Sequence, residues 1–372
     1  MIGAGTHIMQ RHSVGRRPQA VCSQGAEGSP GAPVRVRFRL LEFTFRAREA
    51  VRLPPFAGSA CRGAFGHALR EAVCTEEPRL CGRCAARTDC PYIRIFESPR
   101  GVCAAPPWFN DAALPHPFIL KLPAGEARAF HPGEPLRLQA VLVGWAAAEG
   151  VIPFVAGMAG VGAAGLGEGL GRLDLAAVAD RGGRAPIPIW ADGVWAGAPL
   201  PLPLEWRDDL PVSPQADRLE IEWVTPLRLA NDGRTIREPD FNRFAGSLLR
   251  RIAILAACHG DGPPDWDWHA VWRTAGRVQV ESADLRFVSE RRWSQRQRRH
   301  LPMDGVVGRM TVSGPLSPLL PYLAAGQLFH AGKATAFGCG EYRLRPELAW
   351  RDQPGDRQPP GGPVTGSAFA TV

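Results

Sequence analysis

An internal repeat constrains this chain more than any other feature. The sequence Phe-Ala-Gly-Ser, followed by two residues and Arg, occurs at Phe56–Arg62 and again at Phe244–Arg250. Each copy opens an apolar helical pattern. Each also follows a strand-like segment rich in β-branched and aromatic residues, Val36–Phe45 in one case and Leu219–Thr225 in the other. Matching segments in a matching context predict a duplicated fold.

A second pair of matches closes each half. Gly169–Leu175 and Gly338–Leu344 both read glycine, apolar residue, glycine and charge, followed by alternation that ends in Leu. This pattern predicts a glycine turn that feeds a strand. Each half then has the order strand, helix, several strands, glycine loop and final strand, which fits a β-α-β-β-α-β unit.

These matches divide the chain into two domains. We predict an N-terminal domain at 34–185 and a C-terminal domain at 215–346, joined by a Pro- and Trp-rich linker at 186–214 that has room for one edge hairpin. Residues 1–33 are predicted to be a disordered leader without the apolar h-region of a signal peptide, and 347–372 a disordered tail. No uninterrupted apolar stretch reaches about 18 residues, so no membrane span is predicted.

The charge balance favours an anionic partner. The formal net charge is +8 and the pI is about 9.3, which points first to RNA or DNA, with ordinary surface charge in an Arg-rich proteome as the alternative. Of the 44 basic residues only Lys121 and Lys333 are lysines. Against such a bias, a retained Lys suggests a need for a compact point charge. The odd number of cysteines, nine, and the lack of an export signal predict a reducing, cytoplasmic location.

Four cysteines cluster in an insertion of the first half. Cys74, Cys81, Cys84 and Cys90 have the spacing Cys-x6-Cys-x2-Cys-x5-Cys, and the central Cys-x2-Cys is typical of zinc knuckles. We therefore predict a structural zinc ion in a zinc-knuckle-like insertion at 74–90. An iron–sulfur cluster and four free or oxidised thiols are the alternatives.

The first helix carries a histidine on its polar side. The apolar residues of Ser59–Val73 fall on one stripe, and His67 falls opposite, near Gly63 and Arg70. An exposed His beside Arg can act as a general acid or base near neutral pH, whereas simple surface exposure is the alternative.

A glycine-rich loop precedes the last strand. Residues 330–340 combine permissive backbone, the rare Lys333 and the aromatic Phe337, and glycines let amide N–H groups approach a phosphate closely. The loop does not have the Walker A spacing. Glycine-rich turns are common, so the occurrence of a pair at matching ends of the repeat is the stronger signal.

A basic run lies in the second half, before the glycine-rich loop. Residues 286–300 hold six Arg against one Glu, with Trp293 in the middle. Arg neutralises phosphates and Trp stacks on bases, so we favour nucleic-acid binding over a solvated charged hairpin. The histidines His116, His259 and His269 have no chemical context in the sequence. The motifs of serine hydrolases, zinc proteases and two-metal nucleases are absent, which disfavours a metal-dependent nuclease.

In combination, four segments resemble the CRISPR-associated RAMP endoribonucleases that process precursor crRNA. They are Gly58–Arg70, Cys90–Glu97, Arg292–Gln297 and Leu328–Gly340, and the resemblance covers about Val34 to Leu344. The resemblance implies an α+β chain of tandem ferredoxin-like (RRM-type) domains, with a C-terminal glycine-rich loop that contacts RNA.

The resemblance also implies metal-independent cleavage of CRISPR repeat RNA, in which a 2′-hydroxyl attacks the adjacent phosphate and leaves a 2′,3′-cyclic phosphate and a 5′-hydroxyl. That chemistry needs a base, an acid and a cation. We assign these catalytic roles to His67, Lys333 and Arg62, with Arg70 as the alternative to Arg62. His330 is the alternative histidine, and the first helix has no Tyr to complete a His-Tyr-Lys set.

The predicted RNA-binding residues are Arg70, Arg291, Arg292, Trp293, Arg296, Arg298, Arg299, His330, Gly332, Gly338 and Gly340. The expected partners are CRISPR repeat RNA or crRNA and other subunits of a CRISPR effector complex. Two alternatives remain: a non-catalytic RAMP subunit that only binds crRNA, and a zinc-stabilised DNA-binding regulator, for which there is no recognition-helix pattern.

Overall fold

The computed structural model describes residues 33–76, 80–100, 109, 114–123, 127–197, 199–231, 234–294 and 298–350. The predicted leader and tail lie outside these residues, except for their ends nearest the two domains. Among the helices in the described ranges, none is long and apolar enough to cross a bilayer.

The first half packs its helices against one face of an antiparallel sheet. Its elements are β1 (Arg35–Ala47), β2 (Val51–Leu53), α1 (Gly58–Val73), β3 (Phe118–Lys121), β4 (Arg128–Phe130), β5 (Pro135–Val143), α2 (Trp145–Ala148), α3 (Val151–Ala164) and β6 (Leu173–Asp180). The principal strands follow the antiparallel order β3-β5-β1-β6. The predicted strand and helix are thus confirmed, with β1 and α1 each slightly longer than expected.

The apolar stripe of α1 is buried as predicted. Cys61, Phe65 and Leu69, four residues apart, are fully shielded and face the sheet and α3. Gly157 of α3 allows the close approach of the two helices, since a Cβ there would lie 2.8 Å from the Phe65 ring.

The segment between the halves is more structured than a plain linker. It contains β7 (Ile187–Ala191), β8 (Val194–Trp195), β9 (Leu204–Arg207) and β10 (Val212–Ser213). β7 and β8 extend the first sheet beyond β6 as an edge hairpin, whereas β9 pairs with the start of β1. Trp206 of β9 is fully buried, so the segment supplies part of the core.

The second half repeats the arrangement. Its elements are β11 (Arg218–Leu227), β12 (Ala230–Asn231), β13 (Arg234–Thr235), α4 (Phe241–His259), α5 (Trp268–Ala275), β14 (Gln279–Val288), β15 (Arg291–Ser294), β16 (Arg299–Pro302), β17 (Gly305–Ser313), α6 (Leu320–Phe329), β18 (Tyr342–Arg345) and β19 (Ala349–Trp350). The sheet order β14-β17-β11-β18 matches that of the first half position for position. Both antiparallel units are consistent with ferredoxin-like folds.

The two halves share a core. Along β1, Phe43 and Phe45 face α1 and α3, whereas Phe38 and Leu40 pack with the residues of α4 and α6. The Phe38 ring lies 5.7 Å from the Phe329 ring of α6. The first sheet is therefore covered on both faces, and the molecule is layered as helices, sheet, helices and sheet.

Candidate nucleic-acid interface

The glycine-rich loop joins α6 to β18 and is tightly packed. Gly332, Gly338 and Gly340 all have positive φ, at 80°, 86° and 75°. A Cβ at Gly340 would lie 1.8 Å from the carbonyl oxygen of Ala331, and one at Gly338 would lie 2.6 Å from that of Leu120. Glycine is therefore required at both positions by backbone geometry and by packing, against β3 at 338 and against the start of the loop at 340.

The loop uses many of its amides internally. The N–H of Lys333 donates to the Arg228 carbonyl (2.9 Å), that of Gly338 to Thr335 (2.8 Å) and that of Gly340 to Pro226 (3.0 Å). These donors are not available to a phosphate. Gly338 and Gly340 are also buried, which corrects the expectation that they contact RNA directly. The loop instead presents the exposed side chain of Lys333 and the half-buried ring of Phe337.

Phe337 is the point at which both halves meet. Its ring lies 4.5 Å from the guanidinium carbon of Arg62 on α1 and 4.9 Å from that of Arg292 on β15. The start of α1 rests directly on the loop, because a Cβ at Gly58 would lie 1.8 Å from the Phe337 carbonyl oxygen. Helix α1, the glycine-rich loop and the basic hairpin are thus brought together.

Arg62 contacts two aromatic rings and a histidine. Besides Phe337, its guanidinium lies 4.3 Å from the centre of the Phe96 ring, and its Nη2 is 2.8 Å from Nε2 of His116. Burial, together with the charges of Arg62, Arg251 and His259, keeps the pKa of His116 well below its ordinary value. No local sequence pattern indicates a role for His116, because Arg62, which it contacts, lies 54 residues away in the chain.

The contacts continue into a row of guanidinium groups and aromatic rings. Phe96 stacks on Tyr92 at 5.5 Å, and Arg70 lies 5.7 Å from the Tyr92 ring. The Arg–aromatic row consists of Arg292, Phe337, Arg62, Phe96, Tyr92 and Arg70. Guanidinium groups that are fixed beside aromatic rings suit a ligand that carries both phosphates and bases.

His67 lies elsewhere on α1. Its side chain is exposed, as predicted, but it is five residues beyond Arg62, which is about 7.5 Å further along the helix axis. Within the described part of the chain, His67 makes no contact with Lys333. The structure therefore brings Arg62 to the loop and leaves His67 on the neighbouring solvent-facing surface.

His330 is shielded from solvent. The side chain is fully buried, and its Nδ1 lies 3.1 Å from the Cys339 carbonyl oxygen. Burial, only partly offset by Glu341, lowers its pKa to about 4. The predicted direct contact of His330 with RNA is therefore not what this conformation provides, and its position also weakens it as the alternative catalytic histidine.

The basic run forms a hairpin. β15 and β16 pair antiparallel, with Ser294 opposite Arg299, and the side chains of Arg291, Arg298 and Arg299 are exposed. Trp293 pairs with His300 through the backbone. Arg296 lies outside the described residues. The exposed Arg side chains continue the positive surface away from Phe337.

The outward face of the second sheet is not a stacking platform. Arg309 pairs with Glu222 at 2.9 Å, and Arg345 lies 3.8 Å from Glu220. The sheet aromatic Trp223 is buried against α4 instead. This balanced ion-pair surface differs from the aromatic sheet face by which RRM-type domains stack bases.

The four clustered cysteines do not form a ready metal site. Cys74, Cys81, Cys84 and Cys90 are half-buried free thiols. No group of three or more potential His, Cys, Asp or Glu ligands is gathered anywhere in the described ranges, and residues 77–79 between the first two cysteines lie outside them. The arrangement does not fit a preformed tetrahedral centre.

Two protein families match separate parts of the chain. An N-terminal domain family, AF_1859_N, matches residues 36–198, and the family described as CRISPR-associated endoribonuclease Cas6 matches residues 221–342. No curated protein gives a significant match.

Several solved structures are similar in outline. Thermus thermophilus Cas6 is 19% identical, with a TM-score of 0.47 over 83% of this chain and 98% of that one. A Cas6 product complex is 18% identical, with a TM-score of 0.48 over 82% and 98%. A partial Cas6-RT-Cas1–Cas2 complex is 12% identical, with a TM-score of 0.46 over 85% and 46%. The family match lies in the second half of the chain: residues 221–342 carry the domain described as CRISPR-associated endoribonuclease Cas6.

Proposed function

We propose that this protein cleaves CRISPR repeat RNA in precursor transcripts, without a metal ion, to release mature crRNA. The proposal is carried by one observation, which is that Arg62 is fixed at the junction of α1, the glycine-rich loop and the basic hairpin. A guanidinium held in this way is preorganised for a phosphate that gains negative charge during cleavage. The match of residues 221–342 to the Cas6 family supports the reaction class.

The proposed reaction is an internal transfer of the phosphate ester. The 2′-oxygen loses its proton to a base and forms a bond to phosphorus. The bond from phosphorus to the 5′-oxygen breaks, and that oxygen takes a proton from an acid. We assign proton transfer to His67 and charge stabilisation to Lys333 and Arg62. His67 must reach the scissile phosphate from the exposed face of α1, so the RNA path has to cross that face.

The proposed RNA path follows the Arg–aromatic row and the hairpin. Arg70, Arg292 and Phe337 supply cations and a ring face along the first part, and Arg298 and Arg299 supply exposed cations along the second. The proposed partners are CRISPR repeat RNA and crRNA, together with other subunits of a CRISPR effector complex in the cytoplasm. We also propose that the cysteine-rich segment 74–90 takes up one structural zinc ion.

The test is incubation of the full chain with its cognate repeat RNA in EDTA. We expect one cut, with a 2′,3′-cyclic phosphate on the upstream product and a 5′-hydroxyl on the downstream product. RNA with a single 2′-deoxynucleotide before the cut is the matched control and should remain intact, because it lacks the attacking oxygen. Binding without cleavage of the unmodified RNA would refute the enzyme and favour a non-catalytic crRNA-binding subunit.

A further inference from the structure

His116 and Arg62 form a close polar contact between parts of the chain that are distant in sequence. His116 lies just before β3, and its Nε2 is 2.8 Å from Nη2 of Arg62 on α1. A guanidinium carries only donors and stays protonated in proteins. The imidazole nitrogen must therefore accept the hydrogen bond, which fixes His116 as the neutral tautomer with its proton on Nδ1.

The surroundings of His116 hold its ring in place. The ring stacks on Phe96 at 6.2 Å and on Phe118 at 5.8 Å, and the residue's Nδ1 is buried. Among the described residues, Nδ1 has no hydrogen-bond partner. A buried donor without a partner opposes folding. An apolar ring of similar shape would fill this position without a buried, unpartnered donor. What such a ring could not supply is the Nε2 acceptor for Arg62.

The contact acts on a side chain with two further constraints. Phe96 and Phe337 lie on the Arg62 guanidinium and restrict its plane, but neither ring offers a directional acceptor. The bond to His116 supplies that direction. With it, the Arg62 guanidinium keeps a defined orientation beside the glycine-rich loop.

We infer that His116 is a positioning residue, whose accepting Nε2 orients the Arg62 guanidinium toward the phosphate of bound RNA. This inference rests on the proposed function for its substrate. His116 is assigned no contact of its own with RNA, since its Nε2 is engaged with Arg62 and its ring stacks on Phe96 and Phe118. Misplacing a catalytic group by about 1 Å can cost about 100-fold in rate.

The experiment is a double-mutant cycle in the full chain. His116→Phe keeps a ring between Phe96 and Phe118 and removes the acceptor, whereas His116→Gln retains an acceptor oxygen near the position of Nε2. Both are made in the wild type and with Arg62→Ala. The single-turnover cleavage rate at saturating protein and the Kd for repeat RNA are measured, with the urea unfolding midpoint as the check on folding.

We expect His116→Phe and Arg62→Ala to impair the same measurement, either the cleavage rate or the Kd for repeat RNA. If it is the cleavage rate, His116→Phe should lower it by about 10- to 100-fold. The same change should have no further effect once Arg62 is Ala, and His116→Gln should recover most of the loss. Val178→Ala, a core truncation on β6 three strands away from β3, is the matched control and should have the same effect in both backgrounds.

Independent effects of His116→Phe and Arg62→Ala would overturn the inference, and so would a His116→Gln variant as impaired as His116→Phe. A wild type that binds RNA without cutting it would refute the proposed function alone. In that case the cycle is read in Kd, where coupling supports the positioning role and additivity overturns it.

Discussion

At the scale of single residues, Lys121 shows what a compact cation does in a chain that otherwise uses Arg. Its Nζ lies 3.1 Å from the Glu341 carboxylate, and the two side chains are only 17% and 15% exposed. Burial alone would raise the pKa of Glu341, but Lys121 and His330 bring it below its ordinary value. The pair ties β3 of the first half to the end of the glycine-rich loop, so this lysine has a structural role.

Lys333, the other lysine, and His67 carry the prediction for catalysis. His67→Ala should lower the cleavage rate by about 100- to 10,000-fold, which is the usual cost of losing a general acid or base, and should leave Kd for RNA nearly unchanged. Lys333→Ala should lower the rate and weaken binding, because an exposed loop cation contributes to both. Single-turnover rates and filter binding with repeat RNA measure the two effects.

His330→Gln serves as the comparison for these two variants. Its ring is buried, so it should affect unfolding more than catalysis. Normal cleavage by His67→Ala together with a slow His330→Gln variant of unchanged stability would show that the wrong histidine was chosen. Normal cleavage by all three would mean that the protein acts by orienting RNA for in-line attack.

At the scale of elements, the sequence predicted what local patterns encode. The alternation in β1, the stripe on α1 and the glycine turns before β6 and β18 are determined by residues a few positions apart. The contact of Arg62 with His116 could not be predicted this way, because it depends on how α1 settles beside β3. Segment 186–214 contains the edge hairpin that the sequence allowed, but β9 and β10 were missed for a similar reason. The Pro-rich composition suggests a linker, whereas pairing of β9 with β1 and of β10 with β19 decides their structure.

The hairpin of β15 and β16 provides a prediction about binding. Replacing Arg296, Arg298 and Arg299 together by Ala should weaken RNA binding and make its dependence on salt less steep, because each phosphate contact releases counterions. The slope of log Kd against log salt measures this. Arg218→Ala, Arg277→Ala and Arg345→Ala together remove equal charge from other parts of the second half. An unchanged slope in the hairpin variant would make the hairpin a solvated surface only.

The cysteine-rich segment provides a prediction about metal. Four thiolates can close around one ion, and because metal binding is coupled to folding, the half-buried thiols need not be gathered beforehand. Purification without chelators should give about one zinc per chain. The zinc should take no part in RNA cleavage, because four thiolates leave no open coordination position. Cys81→Ser with Cys84→Ser should abolish zinc uptake, whereas Cys258→Ser should retain it. Iron with visible absorbance, or folded protein free of metal, would contradict the prediction.

At the scale of the whole molecule, the seam between the halves predicts how stability depends on pH. His330 is buried there, whereas His116 and His259 are half-buried. Desolvation lowers the pKa of His259 and of His330 to about 4 and that of His116 well below 6.5. In the unfolded chain the three imidazoles take up protons near pH 6.5, whereas in the folded chain they stay neutral at that pH. The stabilisation is therefore complete above about pH 6.5 and is lost as the pH falls toward 4.

Urea unfolding midpoints between pH 7.5 and pH 5 test this dependence. As the pH falls from about 6.5 toward 4, each of the three histidines should lower the free energy of unfolding by about 1.4 kcal/mol per pH unit. His259→Gln can retain a polar contact with the Pro115 carbonyl and takes up one proton fewer on unfolding, so its dependence on pH should be shallower. A midpoint that stays constant from pH 7.5 to pH 5 would show that the three rings are accessible to protons in the folded state.

The shared core has a consequence for how the chain is made. Phe38, Ile119 and Val141 form an apolar face that is complete once the first half has been synthesised, but the helix that covers it, α4, ends only at His259. At about 5–20 residues per second, the face stays uncovered for several seconds on the ribosome. During that interval the nascent first half exposes an aggregation-prone apolar sheet face. Its correct folding therefore depends on rapid synthesis of the second half or on a chaperone that shields this face.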